Sequence, residues 1–238
     1  MAATTARFRP GLWPTLTLLL GLPLLVTLGT WQVQRLAWKT ELIATLEARH
    51  GQAAIALPAT AGLGPDLAHR PVRITAELAP EPVLRYGVER QQGRPGHDVL
   101  QLARLDDGRA LVVNRGWLAE DAPPVRTPAG EVVLTGPLRW IGDAARSWPT
   151  PMNDPADNRW YWYDRQAFAR AFDAEVLPVV LVASEGVLPA GPAVPVPQPM
   201  AVNLPNNHFG YAITWYGLAV VFVVIYALYG LKRGKDEP

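Results

Sequence analysis

The segment PGLWPTLTLLLGLPLLVTLGT, residues Pro10 to Thr30, contains no Asp, Glu, Lys, Arg or His. A second segment of the same kind, FGYAITWYGLAVVFVVIYALYGL, covers Phe209 to Leu231 near the other end of the chain. Each is about 20 residues long, the length that an α-helix needs to cross about 30 Å of hydrocarbon. Inside lipid the backbone must satisfy its own hydrogen bonds, so both segments are expected to be helical. The sequence therefore predicts a membrane protein with two transmembrane helices.

Two other interpretations of these segments are less consistent with the sequence. Buried helices of a soluble core rarely run this far without a charged residue. A cleaved secretory signal has a shorter apolar run, of about 7–15 residues, followed by small residues at the cleavage site. Here the bulky, polar residues 29–35 follow the first span instead. We therefore expect an uncleaved membrane anchor.

The distribution of Lys and Arg around the spans predicts their orientation, because cytoplasmic segments are enriched in these residues. Five of them flank the two spans on the side of the chain termini: Arg7, Arg9, Lys232, Arg233 and Lys235. Three follow the first span on its other side: Arg35, Lys39 and Arg49. Two spans place both termini on one side, so the larger number predicts cytoplasmic termini and a periplasmic central domain.

Composition narrows the class of protein further. The chain has no cysteine, which excludes disulfides, thiolate metal sites and c-type haem attachment. A formal net charge of +1 gives no reason to expect nucleic acid as a partner. No Arg- and Ser-rich transit peptide precedes the first span, so the lipid bilayer of a bacterial inner membrane is the expected location.

These observations divide the chain into six predicted parts. They are a cytoplasmic tail at 1–9, the first span at 10–30, a helical extension at 31–51, a periplasmic β-rich domain at 52–208 with a Pro-rich return at 187–205, the second span at 209–231, and a cytoplasmic tail at 232–238. The extension is expected to be helical because it lacks proline until after Gly51, a plausible stop signal.

The central domain shows the alternating pattern of β-strands. In Val72–Leu78, apolar residues alternate with Arg73, Thr75 and Glu77. Further predicted strands are Val83–Arg90, Asp98–Leu105, Ala110–Trp117, Glu131–Trp140, Trp160–Tyr163 and Leu177–Val182. Asp106-Asp107-Gly108 is a hairpin signal, and Asp164 can cap a short helix that extends through Phe172. The predicted fold class is a membrane α+β protein, with two transmembrane helices enclosing one antiparallel, barrel-like β domain with short helices.

Few residues of the chain could support catalysis. Its two serines, Ser147 and Ser184, do not lie in a nucleophile-elbow motif. The four histidines lack the spacing of a zinc site, and the carboxylates Asp106-Asp107 fit a solvated turn. We therefore expect a protein that is not an enzyme.

Two segments at the outer ends of the spans carry side chains suited to binding. In residues 29–39, a helix would place Trp31, Arg35 and Trp38 on one face. Aromatic belts and snorkelling arginines are common at membrane interfaces, so this face is consistent with simple anchoring. The alternative is an anion site, in which Arg35 offers its fork of donors just outside the lipid.

The second segment is residues 206–216, where a helix would align His208, Tyr211, Ala212 and Trp215. A histidine at the head of a transmembrane helix can ligate a haem iron, and an aromatic wall beneath it could bury the porphyrin. Arg35 or Arg115 would then meet the propionates. The alternative is an ordinary interfacial histidine.

In these segments the sequence resembles the surfeit locus one family of cytochrome c oxidase assembly proteins, in its bacterial form. The resemblance covers most of the chain, in motifs that follow one order between the two spans. They are Gly29-x-Trp31-Gln32-x-x-Arg35-x-x-x-Lys39, Arg70-Pro71-Val72, Val113-Asn114-Arg115-Gly116-Trp117, Gly130–Arg139, Trp160-Tyr161 and Asn206-Asn207-His208-x-x-Tyr211-Ala212-x-Thr214-Trp215.

The resemblance implies an assembly factor that binds haem a as transient cargo and aids its insertion into cytochrome c oxidase subunit I. It implies that His208 is an axial ligand of the haem iron, and it suggests haem a synthase as a second partner. Geometry adds Arg35, Trp31, Tyr211, Trp215 and Arg115 as residues expected to contact the haem. Two alternatives stay open: a scaffold that stabilises an oxidase subunit without binding haem, and a quinone-linked oxidoreductase, for which the sequence shows no redox site.

Overall fold

A computed structural model of the chain describes residues 8–88, 93–197 and 205–236. It contains two compact units. One consists of the chain up to Thr45 and from Asn203 onward, and the other of Leu46–Val202. We refer to them as the helix pair and the sheet domain.

The helix pair is built from the two apolar segments. Helix α1 spans Leu12–His50 and helix α3 spans His208–Asp236. In the most apolar 18-residue stretch of each helix, only 6% of α1 and 11% of α3 is buried. The helices of a soluble core would be mostly covered. Both helices are long and apolar enough to cross a membrane, which confirms the predicted membrane α+β class. Helix α1 continues past the first span without a break and ends one residue before Gly51.

Glycines let aromatic rings of α3 lie directly against α1. A Cβ atom at Gly21 would lie 2.6 Å from the ring of Phe222, and one at Gly29 would lie 2.8 Å from the ring of Tyr216. Hydrogen bonds accompany this packing, since Thr30 Oγ1 lies 3.0 Å from the Tyr216 hydroxyl. Small residues at such contacts are typical of helices that associate within lipid.

Within its described residues, the sheet domain contains eight strands and one α-helix. These are β1 Ile55–Ala56, β2 Pro71–Leu78, β3 Val83–Val88, β4 Pro95–Leu105, β5 Ala110–Ala119, β6 Glu131–Trp140, β7 Arg159–Trp160, helix α2 Arg165–Ala171 and β8 Val179–Val182. Six of the seven predicted strands are confirmed with shifts at their ends; β4, for example, begins at Pro95 rather than Asp98. The predicted strand Trp160–Tyr163 is wrong beyond Trp160, because β7 covers only Arg159–Trp160 and residues 161–164 lead directly into α2. Residues 89 and 90, predicted to end β3, and residues 198–204 of the predicted Pro-rich return lie outside the described residues.

Five of the strands form a closed ring. Their order is β2, β6, β8, β5 and β4, and the ring closes because Ala76–Leu78 of β2 pair with Ala103–Leu105 of β4. The remaining strands extend the sheet, with β3 and β7 beyond β4 and β1 beside β2. Among the described strands, three pairings are parallel, namely β1–β2, β3–β7 and β5–β8. The sheet is therefore mainly, but not wholly, antiparallel.

The ring has an apolar interior and a second core on its outer face. All five ring strands contribute to the first cluster, through residues such as Ile74, Ala103, Val113, Leu138 and Leu181. The second cluster forms where α2 covers one side of the sheet. Here Phe168 of α2 is fully buried and stacks on Trp160, with ring centroids 4.9 Å apart. The predicted cap of this helix is confirmed, because Asp164 Oδ1 accepts a hydrogen bond of 3.0 Å from the Ala167 N–H.

Candidate functional site

His208, the first residue of α3, forms a hydrogen bond with α1. Its Nδ1 atom lies 2.7 Å from Oε1 of Gln32, which is only 9% exposed. An amide oxygen can only accept a hydrogen bond, so Nδ1 carries the proton and donates it. In a neutral imidazole the lone pair is then on Nε2, for which the described residues provide no hydrogen-bond partner.

Trp31 lies beside the same imidazole. The two ring centroids are 6.4 Å apart, with an interplanar angle of 80°. Trp31 is nevertheless 52% exposed, so it presents apolar surface as well as contacting the histidine. The structure thus brings together His208 and Trp31, two of the predicted site residues.

One turn further along α3, the residues predicted to align with His208 differ in their exposure. Ala212 is buried, with 4% exposure, whereas Tyr211 is 57% exposed. Trp215 is half-buried. The small alanine leaves room for close helix packing, while Tyr211 adds exposed aromatic surface on the first turn of α3.

Hydrogen bonds to α1 fix the chain just before His208. The Lys39 ammonium donates to the carbonyl oxygen of Pro205. The Asn206 Nδ2 donates to the Thr40 hydroxyl over 3.2 Å. These contacts fix the position of the start of α3, and therefore of His208, along the axis of α1.

The structure places Arg35 over an aromatic ring of its own helix. Its guanidinium carbon lies 3.9 Å from the centroid of Trp38, a cation–π contact. Arg35 is exposed, so its donors are accessible to an anion. This arrangement agrees with the predicted shared face of Arg35 and Trp38.

Arg115, the last predicted site residue, belongs to the sheet domain. It is only 2% exposed, and its Nη1 and Nη2 atoms donate to Gln101 Oε1 over 2.8 Å and to the Arg126 carbonyl over 2.9 Å. Burial lowers the pKa of its guanidinium below the ordinary value. These contacts fit a role in stabilising the domain, and its predicted role in binding haem stays a prediction.

Two other histidines meet in the sheet domain. The Nε2 of His50 lies 3.2 Å from the Nδ1 of His69. Burial lowers the pKa of both, and the neighbouring charges of His50, Arg139 and Arg49 lower that of His69 further. In the described part of the chain, no three His, Asp or Glu side chains come close enough to hold a metal ion.

Gln32 is the main residue of the site that sequence reasoning missed. It was visible only as one polar side chain in a motif that also contains Trp31 and Arg35. The sequence signal that could identify Gln32 as a site residue is its spacing from Gly29. The two are three residues apart, so a helix places them on one face, and a glycine at a span end favours close helix contact.

Comparisons with known proteins give one consistent result. The model of the SURF1 family matches residues 19–220 of the chain. A SURF1-like protein of Monosiga brevicollis is 33% identical over 87% of this chain and 84% of its own length. The human Surfeit locus protein 1 is 33% identical, over 81% of this chain and 69% of its own length. A SURF1-like protein of the bacterium Rickettsia felis is 26% identical, over 90% of this chain and 95% of its own.

Proposed function

Because this chain belongs to the SURF1 family, whose role lies in cytochrome oxidase assembly, we propose that it is a haem a carrier for that assembly. In this proposal the protein binds haem a as cargo, passes it to subunit I of the haem-copper oxidase and performs no chemical turnover. Haem a synthase is the proposed donor. The proposed location is a bacterial inner membrane, with both termini in the cytoplasm and the sheet domain in the periplasm.

One observation carries the haem proposal, namely the position of His208 at the head of an apolar helix. Its Nδ1 is held by Gln32, so Nε2, which has no hydrogen-bond partner among the described residues, can serve as the axial ligand of the iron. Haem iron accepts one or two such nitrogen ligands, and a single protein ligand suits a carrier that must also release its cargo.

The surroundings of His208 fit the rest of a haem molecule. Trp31 and Tyr211, each more than half exposed, offer flat apolar surface to a porphyrin. Arg35 offers several N–H donors to a propionate. Trp215, half-buried on the second turn of α3, would limit how deep the macrocycle sits.

An optical spectrum tests the proposal. The full-length protein is purified in detergent from cells that also produce haem a, alongside the variants His208→Ala and His97→Ala. His97 is a half-buried histidine of β4 and serves as the matched control. We expect a haem a spectrum in the wild type and in His97→Ala, and its loss or a marked shift in His208→Ala.

The scaffold alternative predicts a different outcome. A wild type that lacks haem a but still copurifies with oxidase subunit I would reject the carrier proposal. The exposed aromatic residues near His208 would then be contact surface for another protein.

A further inference from the structure

We propose that Gln32 is a positioning residue that sets how His208 ligates its cargo. It fixes the tautomer in which Nε2 has the lone pair, and as a neutral acceptor it keeps the imidazole a moderate rather than a strong ligand. The second part of this inference rests on the proposed haem function. The first part concerns the protein alone.

The tautomer follows from the identity of the contacting atoms. The Gln32 Oε1 atom lies 2.7 Å from His208 Nδ1, which is the length of a strong hydrogen bond. The carbonyl oxygen cannot donate, so the proton is on Nδ1 and the lone pair is on Nε2. A free imidazole exchanges between two tautomers, whereas this one is restricted to the form that ligates through Nε2.

Packing prevents Gln32 from leaving this position easily. It is 9% exposed, on the α1 face where Gly29 contacts the ring of Tyr216. On the other helix, the buried Ala212 lies one turn beyond His208. The edge contact with Trp31 adds a second constraint on the imidazole. The two side chains are therefore held before any ligand arrives.

The chemistry of the acceptor decides the strength of the ligand. Histidines that bind metals usually donate their other N–H to a carboxylate or a carbonyl, and that partner tunes the basicity of the ligating nitrogen. A carboxylate draws the Nδ1 proton toward itself and makes Nε2 a stronger donor to iron. The amide of Gln32 does this less, which suits a protein that must release haem.

A purely structural role for Gln32 would have a different signature. It would be one more hydrogen bond between two membrane helices, and a single bond of that kind contributes little to their association. Thr30 provides the matched control, because its hydroxyl makes another such bond, with Tyr216, on the same helix. Removing that bond with Thr30→Val weakens the helix pair without touching His208.

The first test needs no haem. The full-length protein is labelled with ¹⁵N-histidine, and its four histidines are observed by NMR at a pH where the rings are neutral. The variant His208→Ala identifies the signals of that residue. We expect the Nδ1–H tautomer in the wild type and in Thr30→Val, and a mixture of tautomers in Gln32→Leu. A mixture in the wild type, or no change in Gln32→Leu, would overturn the inference.

The second test measures release of the cargo. Protein loaded with haem a is mixed with excess apomyoglobin, and the rate of haem transfer is followed optically. Partners of a metal-bound histidine typically alter affinity by about 10–100-fold. We expect Gln32→Glu to slow transfer and Gln32→Leu to accelerate it, each by about tenfold, with Thr30→Val near the wild type. Equal rates in Gln32→Leu and Thr30→Val would reduce Gln32 to a structural contact.

The two tests separate the inference from the proposed function. A wild type that takes up no haem a would reject the carrier function and the tuning of its ligand together. The NMR result would still decide whether Gln32 fixes the tautomer of His208.

Discussion

Arg115 brings a positive charge into the interior of the sheet domain. Among the described residues its guanidinium contacts neutral oxygens only, those of Gln101 and Arg126. A buried charge is costly unless its hydrogen bonds are well made, so these two acceptors are central to its stability. Gln101 is fully buried and in turn donates to the Thr127 hydroxyl over 2.8 Å. The network joins β4 and β5 to the segment before β6.

We expect Arg115→Met to destabilise the sheet domain strongly. The substitution leaves the buried acceptors of Gln101 and Arg126 without a donor, which we expect to cost about 2–4 kcal/mol. Thermal denaturation of the purified chain measures the effect. Arg104→Met, which removes an exposed arginine of β4, is the control and should leave the melting temperature nearly unchanged. Equal melting temperatures for the two variants would contradict a stabilising role for Arg115.

The pair of His50 and His69 should make the stability of the domain depend on pH. Their pKa values in the folded state lie below the ordinary value of 6.5, chiefly because of burial. Arg139 and Arg49 also disfavour a charge on His69. Because folding lowers each pKa, the neutral rings contribute fully to the stability of the folded domain above pH 6.5. This contribution is lost as the pH falls through the lowered pKa.

The variant His69→Asn tests this dependence. Asn tolerates the positive φ of 69° at this position, so the backbone is preserved. Melting temperatures measured between about pH 7 and pH 5 should fall more steeply for the wild type than for the variant. Parallel curves for the two proteins would show that the histidine pair does not control the acid sensitivity.

Contact between α1 and α3 depends on glycines that leave space for aromatic rings. A methyl group at Gly29 would meet the ring of Tyr216 at 2.8 Å, which is closer than side chains pack. We expect Gly29→Ala to weaken the helix pair by about 1–3 kcal/mol, the usual cost of overpacking. Thermal denaturation in detergent measures this loss, which the second substitution Tyr216→Leu should partly restore.

Gly217 of α3 provides the control for this experiment. Apart from the adjacent backbone of its own helix, no atom of the described residues lies within 4 Å of a Cβ built there. Gly217→Ala should therefore keep or slightly raise stability through its better helix propensity. Similar losses at positions 29 and 217 would indicate a general effect of removing helix glycines rather than packing against Tyr216.

Several elements were predictable from the sequence because each has a local cause. The spans were visible as charge-free segments, β2 as the alternation of Val72, Ile74 and Ala76, and the start of α2 from its cap Asp164. Closure of the ring and the parallel pairing of β5 with β8 were not predictable. Both depend on the place in the sheet that β8 takes after α2. The residue pattern within β8 does not determine which strands it pairs with.

In the candidate site, too, features with a local cause were predictable and features that depend on distant contacts were not. His208 and Trp31 were predicted as site residues from the shared motifs of the family resemblance and from their positions at the span ends. The hydrogen bond of Gln32 was missed because a single polar contact between helices depends on the register of α3 against α1. That register is set by shape, through Gly29 and Tyr216, and leaves no repeating pattern of polar residues.

At the level of the whole molecule, the placement of its charges predicts a topology that labelling can test. The chain lacks cysteine, so a single introduced cysteine gives an unambiguous signal. We expect a membrane-impermeant maleimide to label Asp121→Cys, in an exposed turn after β5, from the side of the membrane opposite the chain termini. Gly234→Cys, near the end of α3, should react only after the membrane is permeabilised. The reverse pattern would overturn the orientation inferred from Lys and Arg.

The ring of strands also constrains the order in which the protein can be made. Strand β8 is the last of the described strands along the chain, yet it lies between β5 and β6 in the ring. Until Val182 has been synthesised, both of those strands have an unpaired edge, the kind of surface at which chains aggregate. The sheet domain is therefore completed only late in synthesis, shortly before the residues of α3 emerge. We therefore expect a chain that ends before β8 to leave these two edges unpaired and to be prone to aggregation and proteolysis.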